Sequence, residues 1–226
     1  MDIKRTAFIE LAKVFSNHGY RLYLVGGTVR DILLDLPLTD MDAVTDATPE
    51  QMKEFLQGDY TFAKMGSIKV KYNDVKFDIT TLRKERGYID HRHPGEVEFV
   101  KDLSTDHIRR DFTVNAMYMD EQFKLYDFEN GLADLKNHIL RMVGNPNERL
   151  KEDPLRIIRC LRFSLTYNFT IEPKLENSLI TSIKFLDSLS KDKIKMELKK
   201  FDLSQKEQMI EIFDKYSIKH LLDVLE

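Results

Sequence analysis

The sequence predicts an α+β protein in which a mixed sheet with helices packed on it gives way to a purely helical region. Over the first ~150 residues short apolar runs alternate with short amphipathic stretches, as expected where strands and helices share one core. Beyond Gly144 and Pro146 the apolar residues recur at helical spacing, with Leu155, Ile158, Leu161 and Leu165 on one face. A chain of 226 residues, 42% hydrophobic and 32% charged, is long and apolar enough to bury such a core without disulfides.

The elements follow in order. The N-terminal stretch MDIKRTAFIELAKVF reads as an amphipathic helix. Leu22 to Val25 is a compact strand ending at Gly26 and Gly27, and Val29 to Leu36 has helical spacing. A second strand covers about Met41 to Thr45; Thr48, Pro49 and Gln51 then form a capping box with proline at the first helical position. Ile68 to Tyr72 and Val75 to Leu82 make a hairpin turning at Asn73 and Asp74. Residues 83–96, RKERGYIDHRHPGE, lack apolar periodicity and are expected to be a mobile connection. Further strands are expected near Ala116 to Met119, Lys124 to Asp127 and Ile139 to Met142, and later helices near 173–187, 190–201 and 204–216.

Charge is distributed unevenly. Residues 1–150 carry a net −4, residues 151–200 a net +4, and residues 201–226 a net −3. A polyanion would therefore lie along the middle, helical block, which can equally be a solvated helical face. The single cysteine, Cys160, can form no internal disulfide, and there is no CxxC pair for a structural zinc. No apolar run approaches the ~20 residues of a membrane span, and the N-terminus is too charged for a signal peptide. A cytoplasmic protein without a membrane partner is expected.

Two local patterns point to chemistry. GGTVRD at 26–31 places Gly26 and Gly27 where backbone N–H groups can approach a phosphate, with Arg30 and Asp31 behind them, although a double glycine alone is equally a tight turn. In DMD, Asp40 and Asp42 are two apart, so on a strand both carboxylates point to one side and can share a divalent metal, magnesium being the expected ion. Asp78, between Phe77 and Ile79, faces away from both and can serve as a third carboxylate or stand as an exposed strand residue. His91 and His93 do not share a helix face and lack a fourth ligand, so zinc is not expected there.

GGTVRD, LTDMD with ATDATPE, TTLRKERGYIDHRHPGEVEFV, RRDFTVNAM, DFENGLAD and EDPLRIIRCLRF occur in the order seen in the class II tRNA nucleotidyltransferases and the bacterial poly(A) polymerases, a family the chain resembles over roughly residues 20–200. The resemblance implies a nucleotidyltransferase head of the polymerase beta superfamily over residues 1–140, an all-helical neck over 141–200 that recognises the base, and a short body remnant over 201–226. It implies two catalytic metals on Asp40 and Asp42, with Asp78 placed as the third carboxylate. Arg109 and Arg110 would hold the triphosphate, Asp111 a ribose hydroxyl with Asn115 in support, and Asp153 with Arg156 the incoming base. A carboxylate accepts from the amino group of cytosine or adenine and repels the oxygen of guanine or uracil, which is the physical content of that last pair; without the motif it reads as a salt bridge at a helix start. Arg83, Arg86, Asp90 and Arg92 would be the charges of a flexible loop that helps switch specificity, and Asp127, Gly131 and Asp134 a hinge in which glycine permits the turn.

The function so implied is template-independent addition of CCA to the 3′ end of tRNA from CTP and ATP, with release of pyrophosphate. An A-adding enzyme or a poly(A) polymerase shares the core motifs, although FAKMGSIKVKY lacks the basic run expected of the latter. A catalytically silent RNA-binding module is disfavoured by carboxylates near an RNA end. Because family members continue with a body and tail that grip the tRNA, contacts here are expected from the basic block, including Arg159, Arg162, Lys191, Lys193, Lys195, Lys199 and Lys200.

Overall fold

The computed structural model describes residues 2–39, 41–88 and 94–225, and all side chains among them except those of Arg86, Tyr88, Pro94 and Leu203. Asp40, Asp90, His91, Arg92 and His93 lie outside the described residues. The elements run α1 (Ile3–Asn17), β1 (Leu22–Val25), α2 (Gly27–Leu33), β2 (Met41–Thr45), α3 (Pro49–Met52), β3 (Ser67–Tyr72), β4 (Val75–Thr81), β5 (Arg83–Tyr88), β6 (Pro94–Phe99), α4 (Leu103–Asp106), β7 (Met117–Met119), β8 (Leu125–Asp127) and α5 (Gly131–Lys136), then β9 (Ile139–Leu140), α6 (Pro146–Glu152), α7 (Leu155–Thr166), β10 (Thr170–Ile171), α8 (Pro173–Ser182), α9 (Lys191–Leu198) and α10 (Lys206–Lys215). Two compact units emerge, one of residues 2–86, 96–110 and 114–132 and the other of 87–95, 111–113 and 133–225, within the described residues. No described helix is long and apolar enough to cross a membrane.

The first unit is built on a six-stranded sheet in the order β3-β4-β2-β1-β7-β8. Only β2 and β4 are parallel neighbours; the remaining pairings are antiparallel. Helix α1 packs its buried face, Phe8, Leu11 and Phe15, toward β1 and β4, so Leu22 and Leu24 are covered on that side. The opposite face is sealed in part by Tyr23, Val25, Val44, Leu82, Leu103 and Tyr118. Along β2 and β4 the alternation leaves Asp42 and Asp78 exposed beside buried Met41, Ala43, Phe77 and Ile79. The hairpin turn forms as its sequence predicts: Asn73 and Asp74 have φ of 46° and 62°, the pair of positive values a two-residue turn requires. Thr48 and Gln51 likewise complete the capping box.

Three expectations are corrected. Arg83–Tyr88 and Pro94–Phe99 are the strands of a two-stranded sheet where only a mobile connection is expected, and residues 89–93 between them lie outside the described residues. Backbone pairing and the ion pairs of Arg83 supply the order that side-chain alternation does not announce. The predicted strand at 139–142 is confined to Ile139–Leu140 and pairs in parallel with β10, outside the large sheet. The turn after β8 is made by Asn130, with φ 56°, while Gly131 already opens α5. Asp127 holds this turn by accepting from the N–H groups of Glu129, Gly131 and Leu132 at 3.2, 2.8 and 2.9 Å.

In the second unit α7 is the central helix, packed by α6, α9 and α10, and buries Leu155, Ile158, Leu161 and Cys160. Asp134 anchors the strand-to-helix region by accepting from Thr113 Oγ1 at 2.7 Å and from the Arg141 guanidinium at 3.0 Å.

Asn130→Ala places a Cβ-bearing residue without local hydrogen bonding in the left-handed region and is expected to lower stability by about 1 kcal/mol, whereas Asn130→Gly stays within a few tenths. Urea unfolding of the two variants measures the difference.

Candidate active site

The carboxylates of the first unit are positioned by strand register. Asp42 on β2 lies opposite Asp78 on β4, and Asp78 in turn lies opposite Lys69 on β3. The glycine turn approaches from the other side. Gly26 has φ 64° and a Cβ built there would stand 3.7 Å from Arg110 Nη1, and Thr28 in the first turn of α2 accepts from the Asp42 N–H at 2.8 Å. Arg30 is buried, donating to Asn115 Oδ1 at 2.7 Å and to Asp31 Oδ1 at 2.9 Å. It therefore ties α2 to the Thr113–Asn115 turn.

A groove of about 400 Å³ opens on the β3–β4 side of the carboxylates, lined among others by Asp42, Phe62, Lys69, Asp78 and Arg83. Two exposed carboxylates in register on parallel strands form a hard-oxygen donor set suited to a divalent cation. Among the described residues no three His, Cys, Asp or Glu side chains cluster to hold a metal, and Asp40 lies outside them.

Arg109 and Arg110 are organised by a residue that the sequence reading did not single out. Asp106 is fully buried and accepts from Arg109 Nε at 2.8 Å, Arg110 Nη2 at 2.9 Å, the Tyr118 hydroxyl at 2.8 Å and the Arg83 N–H at 3.0 Å. Burial alone would raise its pKa; the charges of Arg110 and Arg109 outweigh this and hold the carboxyl well below the usual carboxylate range. For Arg110 burial works the other way and is outweighed by Tyr118 and Asp106, so its pKa is raised. Arg83 pairs with Glu85 at 2.7 Å, and Arg109 reaches the same carboxylate at 3.6 Å. The Asp106 role had one legible signal, a carboxylate three and four residues ahead of two arginines. Phe62 and Lys69 gave none.

In the second unit Asp111 caps its own turn, accepting from the Phe112 N–H at 2.7 Å, and forms an ion pair with Arg159. Arg162 pairs with Glu197 at 3.0 Å and stacks on Phe163, with Lys200 on the other oxygen of Glu197 at 2.7 Å. These two cations are therefore partly neutralised. Asp153 stands at the helix start read from the sequence: it closes α6, Pro154 caps α7, and Asp153 Oδ1 accepts from the Leu155 N–H at 3.1 Å. Arg156 is buried and donates to the Arg149 carbonyl at 2.7 Å.

Asp106→Asn removes the shared anion from two buried guanidinium groups and is expected to cost about 3–5 kcal/mol at pH 7. Because the folded-state pKa lies below the ordinary 3.8, the unfolded chain binds the proton first. The Asp106 contribution is thus complete above about pH 5 and is lost progressively as the pH falls through and below 3.8. Urea unfolding between pH 7 and 3 is expected to show a weaker acid dependence in the Asn variant than in the wild type.

Residues 22–141 match the poly A polymerase head domain family. The chain is 42% identical to a CCA-adding enzyme of Staphylococcus epidermidis, covering 84% of this chain and 48% of the relative. It is 41% identical to a CCA-adding enzyme of Lactobacillus helveticus, covering 86% and 49%. The chain thus spans about half the length of the curated relatives it matches. Among solved structures, the Bacillus stearothermophilus CCA-adding enzyme in complex with CTP gives a TM-score of 0.80 at 31% identity, covering 88% of this chain and 48% of that one. The Thermotoga maritima CCA-adding enzyme complexed with tRNA-CCA gives 0.76 at 26% identity, covering 98% and 53%. The α+β fold with its mixed sheet is the nucleotidyltransferase head fold expected from the sequence, and the chain belongs to the poly A polymerase head domain family.

Proposed function

We propose that the protein adds C, C and A to the 3′ end of tRNA without a template, taking CTP and ATP and releasing pyrophosphate. The observation that carries this reading is the register of Asp42 and Asp78 on parallel strands beside the glycine turn; the CCA-adding relatives support the choice of substrate. The 3′-hydroxyl oxygen bonds to the α-phosphorus, the bond to the bridging oxygen breaks, pyrophosphate leaves with the electron pair, and the hydroxyl proton passes to solvent.

Asp40, Asp42 and Asp78 are the proposed holders of magnesium, which when bound stabilises charge on the reacting phosphate oxygens. The turn at Gly26 and Gly27, with Arg30 fixing α2 behind it, is assigned to the phosphates of the incoming nucleotide. Arg109 and Arg110 face the same triphosphate, held by Asp106 so that no ordering of two long side chains is required on binding. Asp111 and Asn115 are assigned to the ribose, and Asp153 and Arg156 to the base. Arg159 and Arg162 complete the nucleotide- and RNA-facing cations, and Arg83, Arg86, Asp90 and Arg92 the specificity-switching loop. In these terms residues 1–140 act as head, 141–200 as neck and 201–226 as a short body remnant, in a cytoplasmic setting.

The test supplies tRNA ending before CCA, after C and after CC, with each triphosphate separately. Ordered use of CTP and then ATP is expected. Use of ATP alone on the CC end would mark an A-adding enzyme, long A tails a poly(A) polymerase, and no extension a binding module. Asp42→Ala is expected to abolish addition with the fold intact, since several kcal/mol of transition-state stabilisation are lost with a metal ligand; circular dichroism and product length read both properties. Changing Asp153 or Arg156 is expected to reduce discrimination among the four triphosphates by about 1–3 kcal/mol, the size of a good base contact, with a smaller effect on triphosphate affinity. Steady-state kinetics with each triphosphate measures this.

A further inference from the structure

We propose that the groove beside Asp42 and Asp78 is the subsite for the 3′-terminal nucleotide of the RNA, and that the ring of Phe62 is the platform on which its base stacks. This rests on the nucleotidyl-transfer reading and specifies where the second substrate sits.

The argument is directional. In a displacement at phosphorus the entering and leaving oxygens are roughly in line, on opposite sides of the atom. The glycine turn, with Arg110 beside Gly26, lies on the β1 side of Asp42 and is joined to it through Thr28. A triphosphate seated there puts its leaving pyrophosphate on that side. The sheet order then leaves the β4–β3 side for the entering hydroxyl. The groove occupies that side, with a volume of about 400 Å³ that falls within the usual range of small-ligand sites.

Its lining suits a nucleotide at a chain end. Lys69, opposite Asp78 in register, offers a cation for the backbone phosphate. Phe62 is 59% exposed at the rim, and single exposed apolar residues are common on proteins, so exposure alone says little. Its setting says more: an aromatic ring shares the lining of the groove with the carboxylates, on a rigid mount. The Phe62 carbonyl accepts from the N–H groups of Met65 and Ser67 at 3.0 and 3.3 Å, and the Gly66 carbonyl accepts from Thr81 on β4 at 2.8 Å. Gly66 has φ 82°, and a Cβ there would come within 2.8 Å of the Phe99 ring, so the turn carrying Phe62 is packed against β6. Stacking on an aromatic ring tolerates any base, because every base has a π-face. A stacking platform is therefore suited to a subsite whose occupant changes identity as the RNA end grows, whereas a hydrogen-bonding pocket would reject some of the ends it must accept.

The test uses the full 226-residue chain and an acceptor minihelix RNA whose 3′-terminal base is 2-aminopurine, a fluorophore quenched by stacking. Wild type and Phe62→Tyr are expected to quench it on binding, and Phe62→Ala to leave it largely bright. With unlabelled RNA, Phe62→Ala is expected to raise KM for RNA by about tenfold or more while leaving KM for CTP nearly unchanged. Equal quenching by wild type and Phe62→Ala, or a KM for CTP that rises in step with that for RNA, would overturn the subsite. A wild-type chain that adds no nucleotide to any RNA end fails the transfer reading instead, and the quenching comparison still decides the stacking.

Discussion

One carboxylate with no access to solvent, Asp106, sets the geometry of the first unit around it. It joins three parts of the chain: the start of β5 through the Arg83 N–H, the turn after α4 through Arg109 and Arg110, and β7 through the Tyr118 hydroxyl. A buried anion is costly unless several donors converge on it, and here two guanidinium groups, a phenol and an amide do so. The consequence is preorganisation of the two side chains. Two arginines that would otherwise sample many rotamers are held by it in one arrangement, with Arg110 beside Gly26 and over the Tyr118 ring at 5.0 Å.

The fold was most legible where local chemistry and long-range packing ask for the same residue. Thr48 and Gln51 cap α3 as their spacing predicts, and the Asn73–Asp74 turn has the backbone its residues favour. The facing of Asp78 followed from a period of two, and its partnership with Asp42 is borne by a parallel register that no local pattern announces. The strand at Arg83–Tyr88 was missed because its side chains carry charge for an ion-pair network and not apolar alternation for a core. At the turn before α5 glycine drew attention, yet asparagine, which tolerates left-handed backbone, bears the positive φ. Asp153 and Arg156 flank a helix start as the sequence indicates, with Pro154 capping α7 and Asp153 closing α6 while its side chain accepts from the Leu155 N–H.

Charge arithmetic on the sequence also overstates what is offered to a polyanion. The block from 151 to 200 carries a net +4, yet its Arg162 and Lys200 converge on the buried Glu197. Burial would raise the Glu197 pKa, and the charges of Arg159, Lys200 and Arg162 outweigh it, so this carboxylate stays ionised and keeps its hold on them. Net charge by segment gives the sign of the long-range field, while the phosphate contacts available depend on which cations are already paired.

The single parallel pairing in the large sheet has a further consequence. Strands β2 and β4 cannot be joined by a tight turn, so the chain must make an excursion between them, and that excursion carries α3, the turn with Phe62, and β3. The same detour that brings two distant carboxylates side by side also supplies one wall of the groove next to them. Diversification within such a scaffold is thereby partitioned: insertions, deletions and substitutions between Asp46 and Ser67 reshape what can lie against the carboxylates, while the strands that set the spacing of Asp42 and Asp78 are left untouched.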